Sequence, residues 1–287
     1  MYFLLLASIV LVVVKNTVYN SFAKSSDPDQ YDIFRYNAVS YAVAAIVALA
    51  FGFEKNISFE TLIVASFYAF IVCSLQGLSV YAMKIGPMSA TSLLVLYGMI
   101  IPAIAGPIFW KEPFSILQGI GVILVLVSMW LLRKEEATSK TADKKWGIIA
   151  LVLFFLSGFA GLAEKIHQST NGRDEKNLFI FVAYIIMFVI SLIGMMLSKK
   201  SSQKPVPIKR LWPVGALSGL IITLYAMTNL TLAGKLDSMI YYPVSNGGAL
   251  ILTVIVSVTL FHEKCSKKRI IGFVIGLLSV LILSLPV

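Results

Sequence analysis

Polar side chains recur inside stretches that are otherwise apolar, and these are the groups able to do chemistry. Lys15 and Asn16 lie in the first such stretch, Gln76 and Tyr81 in the third, and Tyr97 in the fourth. Tyr225 and Asn229 lie in the eighth, four residues apart and so on one helix face. Tyr242, Ser245 and Asn246, followed by Gly247 and Gly248, lie in the ninth. Amides, phenols, a hydroxyl and an ammonium can hydrogen-bond a ligand, but they are not a nucleophile and base set. The spacing gives no Ser/His/Asp arrangement, no metal-ligand pattern and no phosphate-cradling glycine loop. Binding without catalysis and without a cofactor is therefore the expectation. Each group has a plainer use as an interhelical hydrogen bond worth about 1 kcal/mol or less. Lys15 either binds an anionic group or snorkels to an interface. Tyr2, Tyr19, Tyr31 and Tyr36 suit the aromatic belt at a membrane surface.

The elements that must position these residues are membrane helices. The chain is 58% hydrophobic and 13% charged over 287 residues, too apolar for a water-soluble domain. Apolar runs fall at about 1–20, 33–53, 61–83, 88–110, 114–132, 146–166, 178–198, 212–233, 239–261 and 268–286. Each is close to the ~20 residues that cross a bilayer as a helix. Their continuity, without period-two alternation, excludes a barrel. The first run lacks a basic leader and a small-residue cleavage site, so it reads as a first span. The net charge of +10 sits in loops between spans, where topology explains it better than nucleic acid does. Cys73 and Cys265 are not placed to pair. His167 and His262 fall near span ends and read as solvated or interfacial. The expectation is an all-α polytopic protein of the bacterial cytoplasmic membrane.

The chain repeats itself. Ala82–Leu132 aligns without a gap on Ala233–Leu283, with about 12 identities in about 51 positions. Lys84 matches Lys235, Met88 matches Met239, Glu112 matches Glu263 and Gly121 matches Gly272. This predicts two five-helix repeats, 1–132 and 146–287, joined by a polar linker over 133–145. An odd span count inverts one repeat relative to the other. About 17 basic residues follow odd spans and about 6 follow even ones, which places the termini outside. Pro102 and Pro107 in span 4 and Pro243 in its repeat equivalent, span 9, predict kinked, gating helices. Gly215 with Gly219, and Gly272 with Gly276, have the spacing for close helix packing, more within one protomer than in a homodimer. Glu112 and Glu263, each just before a helix start, read as structural caps. Lys165 is the approximate repeat mate of Lys15, and Glu164 beside it is its expected partner. No Asp or Glu lies near the middle of a span, which counts against carboxylate-based proton coupling.

Trp110-Lys111-Glu112-Pro113 followed by Gly119 and Gly121, Phe261-His262-Glu263-Lys264 followed by Gly272, and Phe34-Arg35 opening span 2 resemble the drug/metabolite transporter superfamily, specifically its EamA-type members. The resemblance implies ten spans, a central cavity lined by spans 1, 3, 4, 6, 8 and 9, and termini in the cytoplasm, against the charge count. It also implies secondary transport of a small molecule. A small polar or amphipathic metabolite such as an amino acid is the first expectation, moved by alternating access between inverted repeats. Export of lipophilic cations and a non-transporting, partner-binding membrane protein are the alternatives. Membrane lipid and a small-molecule substrate are the expected partners.

Overall fold

In the computed structural model, residues 1–26, 29–52, 57–85, 88–132, 144–170, 174–198, 205–260 and 266–283 are described. They form α1 (Tyr2–Ser26), α2 (Gln30–Ala50), α3 (Phe59–Ile85), α4 (Met88–Tyr97), α5 (Ile100–Trp110), α6 (Ile116–Leu132), α7 (Lys144–Ser169), α8 (Lys176–Leu197), α9 (Ile208–Ala233), α10 (Ser238–Leu260) and α11 (Lys267–Leu283). No strand occurs among the described residues. Eight of the helical stretches are long and apolar enough to cross a membrane, with α4 and α5 together making one; α6 and the apolar part of α11 are shorter. This is the all-helical, polytopic membrane architecture that the apolar runs predict. Residues 133–143 of the expected linker lie outside the described residues, as do His262, Glu263 and Cys265; α7 begins at Lys144.

The helices form two compact units. One comprises Met1–Ile9, Ser74–Lys165 and Leu232–Val287, and the other Val10–Cys73 and Ile166–Thr231. Each draws on both halves of the chain.

In the first unit, α6 packs along α11, and α10 packs on α5, α6 and α11. Leu93, Met99, Val122, Val125, Met129, Tyr241 and Leu283 are at the centre of its apolar core. Helices α6 and α11 meet closely because a side chain at Gly276 would collide with Ser128 Oγ and Ile251. Ser128 in turn donates to the Gly272 carbonyl at 2.7 Å.

In the second unit, α2 packs on α8. Tyr41, Ala44, Ala48, Phe179, Ala183 and Met187 form the shared core. Helix α9 joins through Gly219, where a Cβ would come within 2.6 Å of the Ser40 carbonyl. The expectation that the paired glycines pack against the chain's own helices therefore holds. A latch ties the residues before α9 to α2. Buried Asp32 accepts from the Val206 N–H at 3.0 Å, and Arg35, paired with Asp32 at 2.9 Å, donates to the Val206 carbonyl at 3.0 Å.

Span 4 breaks and span 9 does not. The break lies at Gly98 and Met99, whose N–H groups reach back only three residues, to Val95 and Leu96. Pro102 supplies no N–H for the Gly98 carbonyl, which is taken instead by Ile101 at 3.0 Å. Gly98 lies against Gly158 of α7, so close that a Cβ would meet the Gly158 nitrogen at 2.9 Å. By contrast, α10 continues through Pro243, and α5 through Pro107. Proline alone does not break either helix; the break appears where proline follows a glycine pressed onto a neighbour.

Gly219→Ala is expected to cost about 1–3 kcal/mol, because the obstacle is backbone and cannot rotate away. Gly77→Ala, where nothing lies within 4 Å, is expected to be neutral or slightly stabilising, since alanine is the better helix former. Thermal unfolding of the two variants in detergent checks the contrast.

Candidate functional site

The most heavily charged buried arrangement among the described residues grows from the end of α5. Lys111 takes a left-handed conformation, φ 53°, and stops the helix. The Glu112 N–H then reaches back to the Gly106 carbonyl at 3.4 Å, a Schellman-type end. This reversal brings the Glu112 carboxylate back beside Gly106, where any Cβ would overlap it. There the carboxylate pairs with Lys165 of α7. It also accepts the Ser238 N–H at 2.6 Å and the Ser238 hydroxyl at 3.3 Å, which caps α10. Lys165 donates a second bond to the Leu236 carbonyl at 3.4 Å. One carboxylate thus joins the ends of α5, α7 and α10. Lys165 is 6% exposed, so the pair is shielded from solvent and each charge depends on the other. Asp237 lies in its field. Burial raises the Asp237 carboxyl above the ordinary aspartate value, Glu112 adds to the rise and Lys165 opposes it.

Glu112 does cap a helix, but the one it caps is α10 and not the α6 that follows it in sequence, and it has a charge partner that sequence spacing did not indicate. Lys165 pairs with Glu112, which lies on a different helix-end segment of the chain. The only sequence signal for Ser238, Asp237 and Gly106 is a polar pair opening span 9 and a glycine six residues before Glu112.

The residues expected to bind substrate are placed as follows. In the first unit, the Tyr242 hydroxyl donates to the Gly161 carbonyl of α7 at 2.6 Å. Gly161 also faces Pro102, so the proline of span 4 and the tyrosine of span 9 meet at one glycine. Asn246 turns its amide back to the Tyr242 carbonyl of its own helix at 3.0 Å. Ser245 is buried beside it on α10. Tyr97 donates to the Leu126 carbonyl of α6 at 2.8 Å. Tyr81 is exposed, with Lys145 Nζ 5.5 Å from its ring centre, and Gln76 is exposed on α3. In the second unit, Lys15 Nζ stands 5.0 Å from the Tyr225 ring centre, a cation–π arrangement on a membrane span. Asn229, one turn beyond Tyr225, is buried, while Asn16 is exposed. Structure thus gathers Tyr97, Tyr242, Ser245 and Asn246 in one unit, and Lys15, Tyr225 and Asn229 in the other.

His167 departs from its expected solvated or interfacial setting: it is 1% exposed in the second unit. Its ring stacks near Phe179, with centroids 4.3 Å apart. Its Nε2 lies 3.2 Å from the Thr61 hydroxyl, and Gln168 lies 3.0 Å from Nδ1. The Ser58 hydroxyl and N–H both donate to Glu175, at 2.8 and 2.9 Å. Partial desolvation pushes the Glu175 carboxyl up, but hydrogen bonds from Thr61 and Ser58 and the nearby His167 outweigh it and hold the group below its ordinary value. No group of three or more potential metal ligands occurs among the described residues.

A chain whose described residues form long apolar helices carrying buried polar groups is an integral membrane protein, and comparison with known proteins shows what it is similar to. Residues 2–134 match the EamA-like transporter family. The similarity to that family covers the first part of the chain, a little under half of its length. Among solved structures, 29 chains match. One, described only as the crystal structure of a protein, aligns over 98% of this chain and 95% of its own at TM-score 0.79 and 13% identity, a likeness of fold. No curated protein matches.

Glu112→Gln or Lys165→Met alone is expected to cost about 3–5 kcal/mol, because each strands the partner's charge in a buried place. The double variant should recover much of that loss. Urea unfolding in detergent, run as a double-mutant cycle, measures the coupling directly.

Proposed function

We propose that this protein is a secondary transporter, an exporter or exchanger, of a small polar or amphipathic metabolite such as an amino acid. It works in the bacterial cytoplasmic membrane by alternating access between inverted repeats. The observation that supports this reading best is Lys15 on a membrane span, its ammonium over the Tyr225 ring with Asn229 one turn away. A cation on a span is costly in lipid and typical of a substrate pathway. An ammonium, a phenol ring and an amide together suit a substrate with a carboxylate and some apolar surface. Tyr242, Ser245 and Asn246 on α10, with Tyr97, Gln76, Tyr81 and Asn16, are the further contacts in this reading.

Pro102, Pro107 and Pro243 are the proposed flexible points. The break at Gly98 and Met99 supports Pro102 as the one already bent, while α10 carries Pro243 in an unbroken helix.

Uptake of a radiolabelled amino-acid pool into proteoliposomes tests the proposal. Lys15→Met is expected to reduce transport at least tenfold, and Asn246→Ala and Gln76→Ala to reduce it further toward background, each with folded protein retained. Full transport in Asn246→Ala and Gln76→Ala together would overturn the site, and full transport in Lys15→Met would overturn carboxylate recognition.

A further inference from the structure

A buried histidine with a polar route to water has a use that packing alone does not require. His167 lies in the last turn of α7 and is enclosed by Phe179 on one side. Its two ring nitrogens both have partners. Gln168 lies at Nδ1 and the Thr61 hydroxyl at Nε2. Thr61 is in turn 3.0 Å from the Ser58 hydroxyl, and Ser58 binds Glu175 through both its N–H and its hydroxyl. Glu175 stands just before α8 and is only partly buried. The described atoms therefore form a continuous line of hydrogen bonds from a partly exposed carboxylate to an enclosed imidazole.

We propose that His167 is a proton-binding site of this transporter, loaded from the aqueous side through Glu175 and the Thr61 and Ser58 hydroxyls, and that its protonation links the transport cycle to a proton gradient. The link to transport rests on the function proposed above; the proton site does not.

The chemistry balances as a simple transfer. A proton taken from water makes Glu175 a carboxylic acid. Thr61 gives its hydroxyl proton to ring Nε2 and takes one from the Ser58 hydroxyl, which in turn takes the carboxyl proton of Glu175. One O–H bond is lost, one N–H bond is formed, and Glu175 is again a carboxylate. The other ring nitrogen needs an acceptor when it carries hydrogen. Gln168 supplies one by turning its amide so that Oε1 replaces Nε2, since the amide offers both a donor and an acceptor. The imidazolium then has a partner at each nitrogen and the Glu175 charge nearby. Several other charged groups lie on the elements around it. Glu60 is on α3, Asp174 is beside Glu175, and Glu164 and Lys165 precede His167 on α7. Lys176 opens α8 and donates to Thr231 at 3.1 Å. Of all these, Glu175 is the one joined to the ring through the Ser58 and Thr61 hydroxyls.

The chain has only two histidines, so ring resonances can be assigned by substitution. Full-length protein with labelled histidine, carrying His262→Asn, is titrated in detergent by NMR. The His167 ring is expected to show a one-proton transition, and Glu175→Gln to move its midpoint to lower pH by removing the stabilising charge. A ring that does not titrate, or a midpoint unchanged in Glu175→Gln, would overturn the proton site. In proteoliposomes, uptake of the radiolabelled amino-acid pool is measured with and without a pH gradient. The ratio should exceed one in wild type and fall to one in His167→Gln and Thr61→Val. A wild-type ratio of one, or an unchanged ratio in both variants, would overturn the coupling. No uptake by wild-type protein, with the titration intact, would reject the amino-acid reading and leave the proton site standing.

Discussion

Much of the first unit depends on a single carboxylate. Lipid offers no water to the backbone groups at a helix end or to a stranded charge, so both must be satisfied by protein. Glu112 does both at once. It accepts the Ser238 N–H that opens α10 and neutralises Lys165 from α7. Gly106 makes room for it, and the left-handed Lys111 turns the chain so that it can reach. Three helices in different parts of the sequence are thereby held at one end. Tyr242 then bonds to Gly161 further along α7 and α10, so the two helices are tied at separate levels.

Elsewhere the fold is held by close approach. In a bilayer, helices gain little from burying apolar surface, and tight packing with occasional hydrogen bonds must bring them together. The pairs α6 with α11 and α2 with α8 show this. Each joins helices in equivalent places of the two sequence repeats, and glycine or alanine lines each contact. Polar side chains add specific points: Ser128 to the Gly272 carbonyl, Thr223 to the Ala44 carbonyl, and Tyr36 with Ser218. Tyr36 illustrates how sequence position misleads here. Its place near a span end suggests an interfacial tyrosine, yet it is buried and stacked on Phe22.

Several polar groups that suggested ligand binding turn out to make protein contacts as well. Tyr97 and Tyr242 reach carbonyls of neighbouring helices, and Asn246 bonds to its own helix. Lys15 likewise has a protein contact, its ammonium over the Tyr225 ring.

What the sequence by itself determined is the set of elements and their environment. Apolar runs of bilayer length, short polar connections and a gapless repeat specify a helical membrane protein, because each of these is a local property of the chain. The Glu–Gly pattern ending each repeat, as at Glu112 with Gly119 and Gly121, carries the resemblance to EamA-type transporters. Only the tertiary structure decided which charges meet. Nothing local joins Lys165 to Glu112, or His167 to Thr61 and Glu175, residues more than a hundred positions from one another in part. It also decided where a helix breaks, since Pro102 acts together with the Gly98–Gly158 crossing while Pro243 leaves its helix whole. Partner choice and kink position depend on distances between helices, and those distances arise only when the helices pack.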